Sequence, residues 1–169
     1  MFVPSYQVRE ASEADLAIIH DLAAKIWKNT YEPIISQEQI AYMFELMYRL
    51  DALKNQLHLL GHSFFIIYKE EIAVGFASIS QSSKAICRIH KLYILPELQG
   101  QKVGKSLLAY IEQYAKNKGA NRIELNVNRF NSNAIEFYKK VGFSIIETVD
   151  IPLAEFMLND YVMQREIAL

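Results

Sequence analysis

The stretch "KLYILPELQGQKVGKSLLAYI", residues 91–111, constrains this chain more than any other. Its first residues are strand-like. Leu107, Leu108 and Ile111 then recur at helical spacing, so the chain must turn from strand to helix within the short segment holding Pro96, Gly100 and Gly104. "GQKVGKS" invites comparison with a nucleotide-binding P-loop. That pattern, G-x-x-x-x-G-K-[ST], is one residue longer between its glycines than Gly100 to Gly104. A different ligand must be considered. The first turn of a helix leaves main-chain N–H groups without intrahelical partners, and the helix dipole adds positive potential there. Gly100 and Gly104 let backbone approach a ligand, while Lys102 and Lys105 add charge. These features suit a diphosphate. An ordinary solvated strand-to-helix connection fits the glycines and lysines equally well.

The surrounding periodicities extend this unit in both directions. "SYQVRE" reads as a short strand, after which Ser12 opens a helix with Asp15 in a capping-box position and Leu16, Ile19, Ala23, Ile26 and Trp27 along it. Pro33 ends that helix. A second helix carries Ile40, Met43, Phe44 and Met47 and continues through "LDALKNQLHLL" to Gly61. "HSFFIIYKEEIAVGFASIS" is a hairpin interrupted by its polar "KEE", and "KAICRIHKLYIL" is a strand stopped by Pro96. The helix after the glycine turn carries Tyr114 and Ala115 on its inner face and ends at Gly119. "RIELNVN" is a further strand. Asn131 to Val141 is a helix closed by Gly142, and "FSIIETVDI" and "DYVMQREI" finish the chain as strands. This order predicts an α/β (α+β) fold with a mixed, mostly antiparallel twisted sheet of about six to seven strands and helices on both faces. With no linker, repeat or low-complexity tract, residues 1–169 read as a single domain.

Composition narrows the function classes. Eighteen basic residues against 19 acidic give a formal charge of −1, which argues against a nucleic-acid binder. No apolar run approaches a membrane span, and "MFVPSYQVRE" shows no secretory leader, so a cytoplasmic protein is expected. The one cysteine, Cys87, lies in an apolar run and is expected to be a buried, inert thiol. His58 and His62 have H-x-x-x-H spacing, but Gly61 interrupts the helix and no third ligand accompanies them. No metal is expected.

"LYILPELQGQKVGKSLL" resembles the acyl-CoA-binding signature of the GNAT superfamily of N-acetyltransferases, with Gln99 at its first position and Gly104 at its last. Lys102 stands where that family usually has an inner glycine, so the turn requires residue 102 to hold the same backbone angles with a side chain. "NRFNSNAIEFYKKVGF" is similar to the family's later helix, through Asn131, Ala134, Tyr138, Gly142 and Phe143. The segment "IWKNTYEPIISQEQIAYMFELMYRLDALKNQL" together with "FFIIYKEEIAVGFASI" resembles the branch that acetylates polyamines such as spermidine.

The resemblance implies an acetyl-CoA-dependent N-acetyltransferase in which the strand ending "KLYI" splays from "LNVN" and the pantetheine arm inserts between them. It implies that the Leu92 N–H polarises the thioester carbonyl, that Ile94 bonds the pantetheine beside Tyr93, and that Gln99, Gly100, Gln101, Lys102, Val103, Gly104 and Lys105 hold the diphosphate. Tyr138 is the candidate general acid, although its place on an apolar stripe also fits plain core. His90 shares strand parity with Leu92 and is the candidate base, matching a histidine of the arylalkylamine acetyltransferases; a packed strand histidine is the alternative. Arg88 occupies the neighbouring position, where many members carry glutamate. Asn131 resembles the pantetheine-contacting asparagine and is also a good N-cap. Asn126 and Lys140 are weaker cofactor contacts, and Tyr31, Glu32 and Asp150 are acceptor-pocket candidates, with Glu155 in the same segments. The expected partner is a small-molecule amine, with neither nucleic acid nor membrane, and a homodimer is compatible with the chain. Acetylation of protein or peptide amines, and a non-catalytic acyl-CoA-binding module, stay open as alternatives.

Overall fold

The structure, a computed structural model, describes residues 5–168. Its helices are α1 (Leu16–Tyr31), α2 (Gln37–Tyr48), α3 (Leu50–His58), α4 (Val103–Asn117) and α5 (Ser132–Lys140). Its strands are β1 (Tyr6–Ala11), β2 (Ser63–Lys69), β3 (Ile72–Gln81), β4 (Ile86–Ile94), β5 (Arg122–Asn128), β6 (Ser144–Leu153) and β7 (Phe156–Glu166). The strands form one sheet in the order β1-β2-β3-β4-β5-β7-β6. The β4–β5 pair is parallel, while β1–β2, β2–β3, β5–β7 and β6–β7 are antiparallel. The expected mixed, mostly antiparallel sheet is what forms. The chain divides into two compact units, one made of the residues through Ser80 with Lys91–Ile111, the other of Gln81–His90 with Glu112 onward. Strand β4 and helix α4 each belong partly to both.

In the first unit, the N-terminus of the helical segment is organised as the Ser12/Asp15 pair predicts. The Ser12 N–H donates to the Asp15 carboxylate at 2.8 Å, over a short 3-10 turn (Glu13–Asp15) leading into α1. Pro33 follows the end of α1: Glu32 still holds helical angles, φ −53° and ψ −39°, and Pro33, which has no N–H, cannot carry the hydrogen-bond ladder further. The expectation of one continuous second helix is corrected. Arg49 is extended, with φ −56° and ψ 147°, and separates α2 from α3. Two side chains take carbonyls that a continuing helix would have used: Gln56 Nε2 donates to Met47 O at 2.9 Å, and His20 Nδ1 donates to Tyr48 O at 2.7 Å. Long-range partners, absent from local periodicity, thus break the helix.

The β2–β3 turn holds Glu70 and Glu71 at φ 48° and 66°, left-handed angles usually reserved for Asn or Gly in hairpins. Arg9 ties down Glu71 at 2.8 Å. Phe64, Phe65, Ile66 and Ile67 are all buried, so β2 is covered on both faces. Phe65 meets Tyr110 of α4, whereas Phe64, Ile66 and Phe76 join Leu16, Ile19, Ile26, Trp27, Tyr48 and Leu53 in one core. This puts helices on both faces of the unit's strands.

In the second unit, β4 and β5 run in register from Ile86↔Arg122 to Ile89↔Leu125. β5 continues along β7 to Asn128↔Asp160. Gly142 ends α5 at φ 95°, with Arg165 Cδ only 3.2 Å from where its Cβ would stand. Arg165 bonds the Val141 carbonyl and the Glu112 carboxylate. β7 begins at Phe156, earlier than "DYVMQREI" suggests, because its pairing with β6 extends to Leu153↔Phe156. β6 is the sheet's edge and exposes Ile145, Ile146 and Ile151. Cys87 is buried, and desolvation pushes its thiol pKa up, which makes it inert. No described helix is long and apolar enough to cross a membrane.

Candidate active site

The glycine turn is built as a main-chain cradle. After β4, a 3-10 turn (Pro96–Leu98) uses the Leu98 N–H to Leu95 O at 3.0 Å and the Gln99 N–H to Pro96 O at 3.2 Å. Gln101 N–H reaches Leu98 O at 3.3 Å. Among the described residues, the N–H groups of Gly100, Lys102, Val103, Gly104 and Lys105 have no protein acceptor. Gly100 stands at φ 81° with nothing within 4 Å of its absent Cβ. Lys102 stands at φ 65°. The residue that replaces a glycine therefore keeps the left-handed backbone that the turn demands. Its carbonyl is held by the Ser106 N–H at 3.0 Å and by Ser106 Oγ at 3.1 Å, local bonds that offset the strain of a β-carbon at positive φ. Lys102 and Lys105 are exposed and Val103 is buried, anchoring α4 beneath the turn. Unused donors, open space at Gly100 and two solvated cations fit a diphosphate.

Leading into that turn, β4 carries Leu92, Tyr93 and Ile94, with Ile94 buried. Tyr93 joins an aromatic cluster. The Tyr31 and Tyr93 hydroxyls are 2.8 Å apart, and Trp27 Nε1 donates to Tyr48 Oη at 2.9 Å. Burial, and then Tyr31, raise the Tyr48 phenol well above the ordinary value, against the opposing pull of Trp27 and Tyr93. The structure thus joins Tyr31, an acceptor-pocket candidate, to Tyr93, a cofactor-contact candidate. Glu32, the other acceptor candidate of this unit, lines a groove of about 410 Å³ between α1 and α2. Its walls include Trp27, Ile40 and Phe44, and Glu45 and Lys28 border it with Glu32.

In the second unit, His90 is exposed and follows Ile89, the last β4 residue in register with β5. Tyr138 is 8% exposed, packed edge-on to Phe143 at 5.4 Å and beside Phe137. Asn131 caps α5, its Oδ1 accepting the Ala134 N–H at 3.2 Å, which leaves the amide nitrogen for a ligand. Asn126 is more committed than the sequence suggests. It accepts from Arg88 Nη1 and donates to Asp160 Oδ2 at 3.4 Å. Lys140 is exposed and paired with Glu136 at 2.8 Å. Arg129 Nη2 holds Asp150 at 2.7 Å. Glu155 lies at the exposed β6–β7 turn.

Two polar groups escaped sequence reasoning. Arg88, read as the residue displacing a carboxylate, itself pairs with Glu124, which also takes Gln164 Nε2 at 3.1 Å. Asp160 stands beside this ladder with its pKa raised by desolvation, against the opposing pull of Asn126 and Arg129. The second is Lys91, 5% exposed, whose Nζ donates to Gln56 Oε1 at 2.6 Å and sits over the rings of Tyr48 and Phe64. Burial lowers its pKa to about 7. Its signal was available: Lys91 shares the inward parity of Cys87 and Ile89. His58 pairs with Glu13 at 2.7 Å, and no metal-holding group of three or more His, Cys, Asp or Glu occurs among the described residues.

Unbonded main-chain donors at a helix start, reached directly from a strand of a mixed sheet, suit a phosphate-bearing ligand. Residues 20–143 match the model of the Acetyltransferase (GNAT) family, and the chain belongs to that family. It is similar to a spermidine N(1)-acetyltransferase of Thermoplasma acidophilum, 32% identical over 167 residues that cover 96% of this chain and 98% of that protein. Among solved structures it resembles the PaiA N-acetyltransferase of the same organism in complex with coenzyme A, with a TM-score of 0.83, 28% identity, and coverage of 96% and 99%. A GCN5-related N-acetyltransferase from Rhodopseudomonas palustris shares the fold, with a TM-score of 0.80 and 22% identity. The protein is an acetyl-CoA-dependent N-acetyltransferase.

Proposed function

We propose that the acceptor is a small cationic amine of the polyamine class. The observation that carries this reading is the Glu32 and Glu45 pair bordering the α1–α2 groove. The two carboxylates outweigh the one neighbouring cation, Lys28, and so attract ammonium groups to this groove, whose apolar wall suits a methylene chain. The similarity to a spermidine N(1)-acetyltransferase supports the same class. Acetylation of a peptide amine, which an open groove would also admit, is the competing reading.

Acetyl-CoA supplies an activated acetyl group as a thioester. On our reading the unbonded N–H groups of the 100–105 turn bind its diphosphate, with Lys102 and Lys105 screening the charge. The Leu92 N–H orients and polarises the carbonyl, a donor role whose loss typically costs about 2.7–4 kcal/mol. Ile94 main chain and the Asn131 amide nitrogen align the pantetheine. His90 removes the ammonium proton directly or through water, and Tyr138 Oη returns a proton to sulfur. Tyr31 and Glu32 contact the acceptor on the helical side, and Asp150, steadied by Arg129, is a further contact for its charge. A homodimer is read through the exposed apolar edge of β6, and light scattering tests it.

Incubation with acetyl-CoA and a panel of amines, following thiol release, tests the function. Turnover of spermidine and spermine above that of peptides is expected. Preference for a peptide N-terminus or a lysyl peptide would transfer the reading to protein acetylation. Tight CoA binding without turnover of any amine would mark a binding module.

A further inference from the structure

Gly75 lies buried inside β3, where glycine weakens a strand and usually marks a close approach. It is absent from the residues with positive φ, so conformational freedom is not the reason for it. Space is. A Cβ at this position would stand 2.5 Å from Ile94 Cδ1, 2.7 Å from the Tyr93 carbonyl oxygen and 3.1 Å from Ile67 Cγ2. Comfortable contacts lie at about 3.5–4.0 Å. A rotamer change could relieve the isoleucine tip, but the Tyr93 oxygen is main chain and moves only if β4 moves. The strand cannot swing away as a whole, because the Leu95 N–H is fastened to Val74 O at 2.9 Å on the adjoining residues. Displacement would fall on Tyr93 and Ile94.

We propose that Gly75 is a positioning residue for acetyl transfer: by lacking a side chain, it sets how closely the end of β4 lies on β3, and so where the Leu92 and Ile94 main-chain groups stand. The inference rests on the reading that those groups hold the thioester and pantetheine. Gly75 touches neither substrate. It acts through the strand that it seats.

The test is Gly75→Ala, with kcat, both KM values, CoA affinity by calorimetry and the melting curve measured on one preparation. A misplacement of about 1 Å can cost about 10²-fold, so kcat is expected to fall at least about tenfold. CoA binding weakens with it, and the amine KM changes only through the Tyr93–Tyr31 contact, by less than the CoA affinity does. A merely structural role would lower the melting temperature and leave the parameters of the folded fraction intact. The double variant Gly75→Ala/Ile94→Ala, compared with Ile94→Ala alone, removes the side-chain clash and keeps the carbonyl contact. It is expected to retain most of the defect, and it carries the test if the single variant does not fold. A folded variant with wild-type kcat and CoA affinity overturns the proposal, as does failure of both variants to fold. A wild-type protein inactive on every amine would instead sink the reading of the site, and this is seen before any variant is made.

Discussion

The Tyr31 and Tyr93 hydroxyls meet at 2.8 Å, joining the last residue of α1 to β4. The contact fixes a helix end that the reading assigns to the acceptor against a strand that it assigns to acetyl-CoA. Tyr31→Phe is therefore expected to raise the amine KM several-fold and to change the acetyl-CoA KM little. Each single Phe variant should lose about 1 kcal/mol of stability. A double-mutant cycle should return a coupling of about 0.5–3 kcal/mol. Additive losses would show that the two hydroxyls do not act together.

Lys102 separates backbone strain from charge. Lys102→Gly removes a left-handed β-carbon that costs about 1–2 kcal/mol and gives back about 0.5–1 kcal/mol in unfolded-chain entropy. A net gain of about 0–1.5 kcal/mol in chemical denaturation follows from these terms. Lys102→Ala keeps the strain and should show no gain. Both variants lose the ammonium, so both should weaken CoA binding, more at low salt than at high salt. Equal CoA affinity in all three proteins would remove Lys102 from the diphosphate site.

Tyr138 and His90 are tested by pH. A thiol titrates near about 8.5 and a phenol near about 10, so a proton from Tyr138 matters most below the thiol value. The kcat deficit of Tyr138→Phe should be partial and should narrow as pH rises past about 8.5. Turnover unchanged between about pH 7 and 9 would remove the acid role. His90→Ala should lose about 10²–10⁴-fold in rate if the imidazole is the base. Full activity below neutrality would transfer that role elsewhere, and Glu124 and Asp160, on the second unit's polar ladder, are the carboxylates to substitute next.

Lys91 predicts a pH-dependent stability. Burial holds its folded pKa near about 7, against an ordinary 10.5. Between these values the unfolded chain binds more protons, so Lys91 makes stability rise with pH across that window. Its penalty is complete below about pH 7 and gone above about 10.5. The groups facing it are Gln56 of α3, Tyr48 of α2, Phe64 of β2 and His62, whose own pKa falls to about 4 through desolvation and then the Lys91 charge. Lys91→Met should be more stable than wild type at neutral pH, by an amount on the order of a few kcal/mol, and the gap should close as pH rises towards 10. Parallel stability curves would show that Lys91 stays charged inside the fold, satisfied by Gln56 and the rings.

The local code of this chain was largely self-sufficient. Strand-like runs and helical spacing identified the elements because burial of one face imposes its period on the residues. Pro33, Pro96, Gly119 and Gly142 marked the ends because their backbone limits act within a residue or two. The left-handed turn at Gly100 and Lys102 was legible for the same reason: strand end, turn and helix start are consecutive in the chain. What adjacency could not supply came only from tertiary structure. The break at Arg49 depends on His20 and Gln56 capturing carbonyls from a distance. Tyr31 meets Tyr93 across 62 positions of sequence, Asn126 is drawn into the ladder of Arg88 and Asp160, and the absent side chain of Gly75 has meaning only because β4 lies over it. Propensity and turn chemistry are local energies, written where they act. Contact, desolvation and steric exclusion belong to pairs of distant residues, and only the assembled fold decides which pairs exist.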